Sequence, residues 1–403
     1  MKEKKILKIL KLMSILLVIV LVVEVGYYIY SLLKPSKSVY FDSLNDMEVV
    51  MKGFIAVGSN NNNEKYYEKA KITKYNLKKE KDFEKIYNKG FNSVFFGVCS
   101  DDDGYVAVGS YEYNEDELDK SLRSALIVKY DTSGEIVFED RFQVLGNSKF
   151  MDVIAVDDGY LVVGQSVYED MTLGFSDNGG AYIIKYDKAG KLLWKSNYGS
   201  NKTAIYNALI VSDGYIYVAG KNSNNIGLLA KYSMDGELIG NANYEYSDNL
   251  GFTDITVVDD NIIVTGGKMI NEEKNQAVLA RYDKDLGFIN DTIYEAENNS
   301  RYNRILKDNN NDLILIGNTY YLDKNKENKE ISILKYDGVI GKYKSDLKSI
   351  KVVEYDEERD AHFTDIIQYE DHYLVCGYSM YEDQSYMSKF INYSDSLKVL
   401  DVE

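Results

Sequence analysis

The chain is 403 residues long, carries a formal net charge of −17 and contains 37 tyrosines. That charge excludes the basic surface that nucleic-acid phosphates demand. Two cysteines, Cys99 and Cys376, exclude a disulfide-dependent scaffold; each lies in an apolar run of a different, non-neighbouring repeat, so both are expected as buried free thiols.

Residues 1–13 are basic, with Lys2, Lys4, Lys5, Lys8 and Lys11, and an apolar stretch follows over 14–33, broken only by Glu24. About 20 apolar residues span a bilayer as a helix, so 14–33 is expected to be a transmembrane helix. Its bulky exit, Tyr27-Tyr28-Ile29-Tyr30, offers no small-residue cleavage site, and no cysteine follows for lipidation, which favours an uncleaved signal anchor. Lysines outnumber those of the far flank on the N-terminal side, which places the N-terminus in the cytoplasm and the rest outside, with localisation at the cell membrane as a single-pass protein. Seven lysines against two glutamates give residues 1–37 a charge of +5, leaving −22 on the remainder. The only proline, Pro35, falls in a linker expected over 34–43.

From 44 to 402 one pattern recurs at intervals of roughly fifty residues, the signature of a repeat architecture. A strand closes on a glycine at Gly58, Gly109, Gly164, Gly220, Gly266, Gly317 and Gly377. A second strand closes on a basic–aromatic pair: Lys74-Tyr75, Lys129-Tyr130, Lys185-Tyr186, Lys231-Tyr232, Arg281-Tyr282, Lys335-Tyr336 and Lys389-Phe390. The third copy shows four strands, at 150–156, 160–164, 181–186 and 191–195, joined by short polar turns containing glycine. Tyr160-Leu161-Val162-Val163 is apolar on both parities, so its strand is buried on both faces. Four antiparallel strands per repeat, covered on both sides, describe a propeller blade. The predicted fold is all-β, a seven-bladed β-propeller behind the N-terminal transmembrane helix, with the repeats in phase with the chain so that whole blades meet at closure.

Asp158-Gly159-Tyr160-Leu161-Val162-Val163-Gly164, Ile183-Ile184-Lys185-Tyr186-Asp187 and Gly190-Lys191-Leu192-Leu193-Trp194 resemble the repeat unit of bacterial secreted and surface β-propeller proteins, which reads DGGYIVVG, VVKLD and GNxxW. The copy is degenerate: Phe138 and Gly240 stand where the second and fourth repeats would carry the tryptophan. The resemblance implies an extracytoplasmic propeller and no shared catalytic residues.

Features common to every repeat read as architecture, and features that differ between repeats read as function. The loops between second and third strands vary in length and are rich in tyrosine and acid. They supply the candidate ligand-binding residues Tyr66, Tyr67, Tyr111, Tyr113, Tyr168, Phe175, Tyr320, Tyr321 and Tyr381. Variable loops on a rigid scaffold carry recognition, and tyrosine offers broad amphipathic contact. At the start of the first strand the aligned residues read Asp46, Gly97, Asp152, Asn207, Asp254, Arg304 and Asp365. These would ring the channel mouth, where carboxylates could hold a divalent cation or simply accept backbone N–H bonds.

Catalytic signatures are few. There are two histidines, His362 and His372, no Gly-x-Ser-x-Gly turn and no zinc-ligand spacing. Asp308-Asn309-Asn310-Asn311-Asp312 starts like a calcium loop but has Leu313 and Thr319 where glycine and glutamate belong, and it reads as a hairpin. Neither a cofactor nor a dedicated metal site is expected. The expected function is a membrane-anchored, non-catalytic binding or scaffold module for a protein, cell-wall polymer or carbohydrate. The competing expectation is a glycan-acting propeller enzyme that uses two channel-mouth carboxylates.

Overall fold

The computed structural model describes residues 40–402 apart from 62–66, 115–120, 143–146, 168–179, 200–203, 245–250, 272–273, 325–331, 356–359 and 381–384; side chains at 113–114, 121–122, 167, 323–324 and 332–333 also lie outside the description. The expected membrane span at 14–33 lies outside the described residues as well. Among the described residues no helix is long and apolar enough to cross a membrane.

The described strands form seven four-stranded antiparallel sheets, each built from four strands consecutive in sequence. The sheets span 42–86, 92–142, 147–198, 205–244, 252–294, 299–355 and 361–402. First strands of successive sheets touch all round, and the first strand of the seventh touches that of the first. The fold is a seven-bladed β-propeller. Closure occurs between whole blades, as expected, although the first strand begins at Asp42, two residues early. Tyr386 of blade 7 donates its N–H to the Tyr40 carbonyl at 2.8 Å, and Phe41 pairs with Tyr386 in parallel, so the segment entering blade 1 fastens to the last blade.

Two-sided burial explains the doubly apolar strands. Tyr160 and Val162 pack into the apolar cluster shared with blade 2, while Leu161 and Val163 pack into the cluster shared with blade 4. Alternate residues of one strand thus serve opposite neighbours, and each fully buried aliphatic side chain contributes about 1.5–3 kcal/mol. Cys99 and Cys376 are buried free thiols within such clusters.

The two repeat markers have a common cause, a β-bulge. In all seven blades the first strand carries one extra residue opposite the marker glycine: Asn45, Phe96, Met151, Asn207, Thr253, Asn303 and Thr364. The bulge drives a first-strand carbonyl against the second strand, so a Cβ on Gly164 would overlap the Lys149 carbonyl, and the other six marker glycines meet the same obstacle. Close approach is therefore the reason for glycine. The glycine does not end its strand, however; in blade 1 the strand continues to Asn60.

A second bulge falls at the basic–aromatic pair. It places that pair at Lys342-Tyr343 in blade 6 and at Asn392-Tyr393 in blade 7, correcting Lys335-Tyr336 and Lys389-Phe390. Lys335-Tyr336 has the right residue types but lies seven residues upstream, an odd offset that puts it on the other face. The aromatic rings are buried between blades, and Lys129, Lys185 and Lys342 are also buried, each paired with an aspartate, Asp101, Asp158 and Asp308 among them. The turns between third and fourth strands are uniform, with Asp131 and Asp187 accepting two backbone N–H bonds each from the residues that follow. Asp308 accepts N–H from Asn310 and Asp312 in the same way, so the calcium-like segment is a hairpin.

Candidate functional site: the channel mouth and the loop face

The bulges decide what lines the channel. The seven bulge residues, together with Arg301 and Arg304, surround a cavity of about 240 Å³ at the channel mouth. This mouth opens on the face where first strands begin and where the loops between second and third strands lie. Five bulge side chains tie their blade to the next by donating to the carbonyl just before its bulge. Asn45 reaches Phe95 at 2.7 Å, Asn207 reaches Phe252 at 2.6 Å and Asn303 reaches Phe363 at 2.7 Å. The hydroxyls of Thr253 and Thr364 reach Tyr302 at 2.9 Å and Leu44 at 2.6 Å. Phe96 and Met151 have no group to donate.

The residue after each bulge forms the next ring down: Asp46, Gly97, Asp152, Ala208, Asp254, Arg304 and Asp365. The structure brings together every residue expected there except Asn207, whose true equivalent is Ala208. Asn207 belongs to the bulge ring instead, since the blade 4 bulge falls on Asn207 and leaves Ala208 paired with Ala219. Carboxylates occupy alternate blades, and their bonds explain why. Each bulge leaves one backbone N–H facing the channel, and four carboxylates accept all seven. Asp365 takes Met47 at 2.6 Å, Asp46 takes Val98 at 2.7 Å, Asp152 takes Leu209 at 3.0 Å and Asp254 takes Ile305 at 2.8 Å, all across blade junctions. Asp152, Asp254 and Asp365 also accept the N–H of the residue following them, Val153, Ile255 and Ile366. Buried amides left unpaired would each cost about 1–3 kcal/mol.

Seven is odd, so the alternation fails once, and Asp365 and Asp46 become neighbours across the junction of blades 7 and 1. Arg304 answers this, with its guanidinium 3.2 Å from Asp46 and 3.4 Å from Asp365. Burial is the main influence on these carboxyls and raises all four above the ordinary carboxylate range, with Arg304 opposing it. Asp152 and Asp365 are pushed up to about 7. The four carboxylates together raise the pKa of Arg304 against its burial, so it stays charged.

On the loop face the expected tyrosines separate. Tyr66, Tyr168, Phe175 and Tyr381 lie outside the described residues, as does the side chain of Tyr113. Tyr111 is buried, its ring under the Arg141 guanidinium at 4.1 Å. Tyr67 and Tyr321 are exposed, and Tyr67 leans on Phe91 with ring centroids 5.5 Å apart. Tyr320 is half-buried and its ring lies 5.9 Å from that of Tyr336. From Tyr336 an aromatic strip runs across blades 6 and 7. His362 lies 3.9 Å from Tyr336 and stacks on Tyr378 at 4.7 Å, and Tyr378 meets Tyr386 at 5.6 Å. Of this strip only Tyr320 was expected from the sequence. The others sit on strands rather than in loops, and their signal is the departure from the repeat: His362 stands where the other blades carry Ser43, Val94, Lys149, Ile205, Gly251 and Arg301.

No family model matches the chain, and no curated protein matches it. Among solved structures it is similar to a puromycin hydrolase, at 10% identity and a TM-score of 0.52, with 91% of this chain covering 55% of that one. It is also similar to the Dos1 propeller, at 11% identity and a TM-score of 0.47, with 85% of this chain covering 91% of that one. At these identities the likeness extends to the fold alone.

Proposed function

We propose that the chain is a membrane-anchored, extracytoplasmic propeller that acts as a non-catalytic binding module for a carbohydrate, cell-wall polymer or protein, with the loop face as its recognition surface. The observation that carries the reading is the division of labour around the channel. All four channel carboxylates, Asp365 buried and the other three half-buried, are engaged with backbone amides, and two of them also hold Arg304. Carboxylates so engaged serve the ring, whereas the half-buried aromatic strip beside the mouth presents ring faces suited to sugars and to protein side chains. Anchoring is supported by the lysines at 2–11 followed by apolar residues 14–33, and an outside location by the resemblance to secreted propeller repeats.

One observation favours the enzymatic alternative. Asp152 and Asp365, held at about 7, have the proton affinity that a glycan-cleaving general acid needs. A glycan array and a pull-down with the intact protein, run beside a glycan-release assay, distinguish the two. Capture without product release is expected. Release that disappears in Asp365→Asn while folding persists would establish the enzyme instead.

A further inference from the structure

Cations stand around the channel mouth, across the ring from the aromatic strip as well as next to it, on a protein that is otherwise strongly acidic. Lys149 and Arg301 occupy the same position as His362 in their own blades, two residues before the bulge, and Arg301 lines the mouth cavity. Lys149 lies over Phe96, another lining residue, at 5.7 Å. Lys221 follows the marker glycine of blade 4 and bonds to Asn225 at 3.0 Å. Neither Lys149 nor Lys221 has an ion pair among the described residues, although the domain carries far more acid than base. Burial, and then like-charged neighbours, lowers the affinity of both lysines for their protons: Arg123 and Lys221 act on Lys149, and Arg301 acts on Lys221. These cations therefore repel one another across the mouth, and an anion bound there would relieve that repulsion.

The aromatic side has matching properties. Tyr336, His362, Tyr378 and Tyr386 are half-buried, and none of their hydroxyls or ring nitrogens has a hydrogen-bond partner among the described residues. Burial pushes His362 down to about 4, so at neutral pH it is an uncharged ring with one donor and one acceptor. Arg301 joins the two halves. Its strand partner Asn318 accepts the N–H of Phe363, the residue next to His362, at 3.0 Å.

From this juxtaposition we infer that the channel mouth and strip bind an anionic, polyhydroxylated polymer, whose sugar or polyol units lie on the aromatic rings while its carboxylates or phosphodiesters meet Lys149, Lys221 and Arg301. The inference rests on the binding-module reading and narrows it to one ligand chemistry. Flat rings with free polar edges suit a ligand with apolar C–H faces and many hydroxyls. The cations lie apart, in blades 3, 4 and 6, which suits charges repeated along a chain better than a single anion. The cavity, about 240 Å³, is below the range of pockets that enclose a drug-sized ligand, so a polymer would lie across it with one unit entering.

The test is calorimetric titration of the full-length protein with four probes: hexagalacturonate, poly(glycerol phosphate), a neutral galactose hexasaccharide and polyglutamate. Binding of hexagalacturonate or poly(glycerol phosphate), with the other acidic polymer weaker, supports the inference and identifies the anion as carboxylate or phosphodiester. The double variant Lys149→Gln, Lys221→Gln should weaken that binding at least tenfold, and so should Tyr378→Leu, with melting temperatures confirming that both fold. Equal binding of polyglutamate would remove the polyol from the proposal. Binding of the neutral sugar alone would overturn the anionic inference and leave the binding-module reading standing. Failure of every probe would overturn the inference, and capture of a protein partner in the pull-down would then decide the wider reading separately.

Discussion

Two junctions of this ring hold together by different means. Between blades 2 and 3 the bulge residue is Phe96 and the next is Gly97, so blade 2 sends no side-chain hydrogen bond across from either position, and Val153 takes its acceptor from its own Asp152. Away from the channel an apolar cluster of thirteen buried residues, from Cys99 to Tyr186, holds the two blades, with Tyr160 donating to Asp101 and Asn147 accepting the N–H of Arg123 farther out. Between blades 7 and 1 the cluster has only nine, but Thr364 and Asp365 both bond across and Arg304 neutralises the adjacent carboxylates. The difference follows from the chain. Blades 2 and 3 are joined by a short connection, whereas blades 7 and 1 must meet from opposite ends of the domain, so their closure entropy is offset by contacts alone. Directional bonds also fix which blades meet, which apolar burial by itself does not.

The most severe way to break this contrast is Arg304→Met. It leaves the half-buried Asp46 and the buried Asp365 side by side without a counter-ion, and the expected loss is about 3 kcal/mol in chemical denaturation. A change below about 1 kcal/mol would mean that the closing junction does not depend on its ion pairs. Next comes the plain junction. A Cβ at Gly97 would lie 3.0 Å from Asp152 Cα and 3.1 Å from the Met151 carbonyl, so Gly97→Val should cost about 1–3 kcal/mol by holding blades 2 and 3 apart. Arg304→Met and Gly97→Val act at separate junctions and should add.

Thr364→Val keeps the shape of the closing bond and removes its donor, for an expected loss of about 1 kcal/mol. Thr364→Ser should restore it. At the smallest scale lies pH. Asp152, Asp365 and Glu48 sit at about 7 in the folded chain, well above their ordinary carboxyl values. Between pH of about 4 and 7 the folded state therefore binds more protons than the unfolded one, and stability falls as pH rises through that window. His362, held at about 4, acts in the opposite direction below pH 6.5 but is one group against three. Tm should be higher at pH 6.0 than at pH 7.5 by about a degree or two, and Asp365→Asn should flatten the slope. A rise in Tm toward pH 7.5 would show that the carboxylates fold in their charged form.

Blade number and strand order were legible because they depend on local, repeated constraints. A bulge carbonyl excludes Cβ in every blade, so glycine recurs; a buried ring fills every blade gap, so tyrosine recurs. Where two candidates satisfied the same local rule, as with Lys335-Tyr336 and Lys342-Tyr343, the sequence could not choose, because only pairing with the neighbouring strand fixes the register. Asn207 failed for the same reason, displaced by one residue from Ala208. The site was less legible still. Tyr111 looks like a loop residue but is buried, while Tyr336, Tyr378 and Tyr386 look like strand residues yet share a half-buried strip on the loop face.

By itself the sequence determined the seven-fold β repeat, whole-blade closure, the free thiols and the acidic character of the domain, since each follows from residue type and short-range spacing. Only the tertiary structure decided that four carboxylates on alternate blades would satisfy seven bulge amides, that an odd blade count would force two of them together, and that Arg304 would lie between them. Those bonds join residues up to 318 positions apart in the chain. Such partners come into reach only when the ring closes, so no periodicity within a single repeat encodes them.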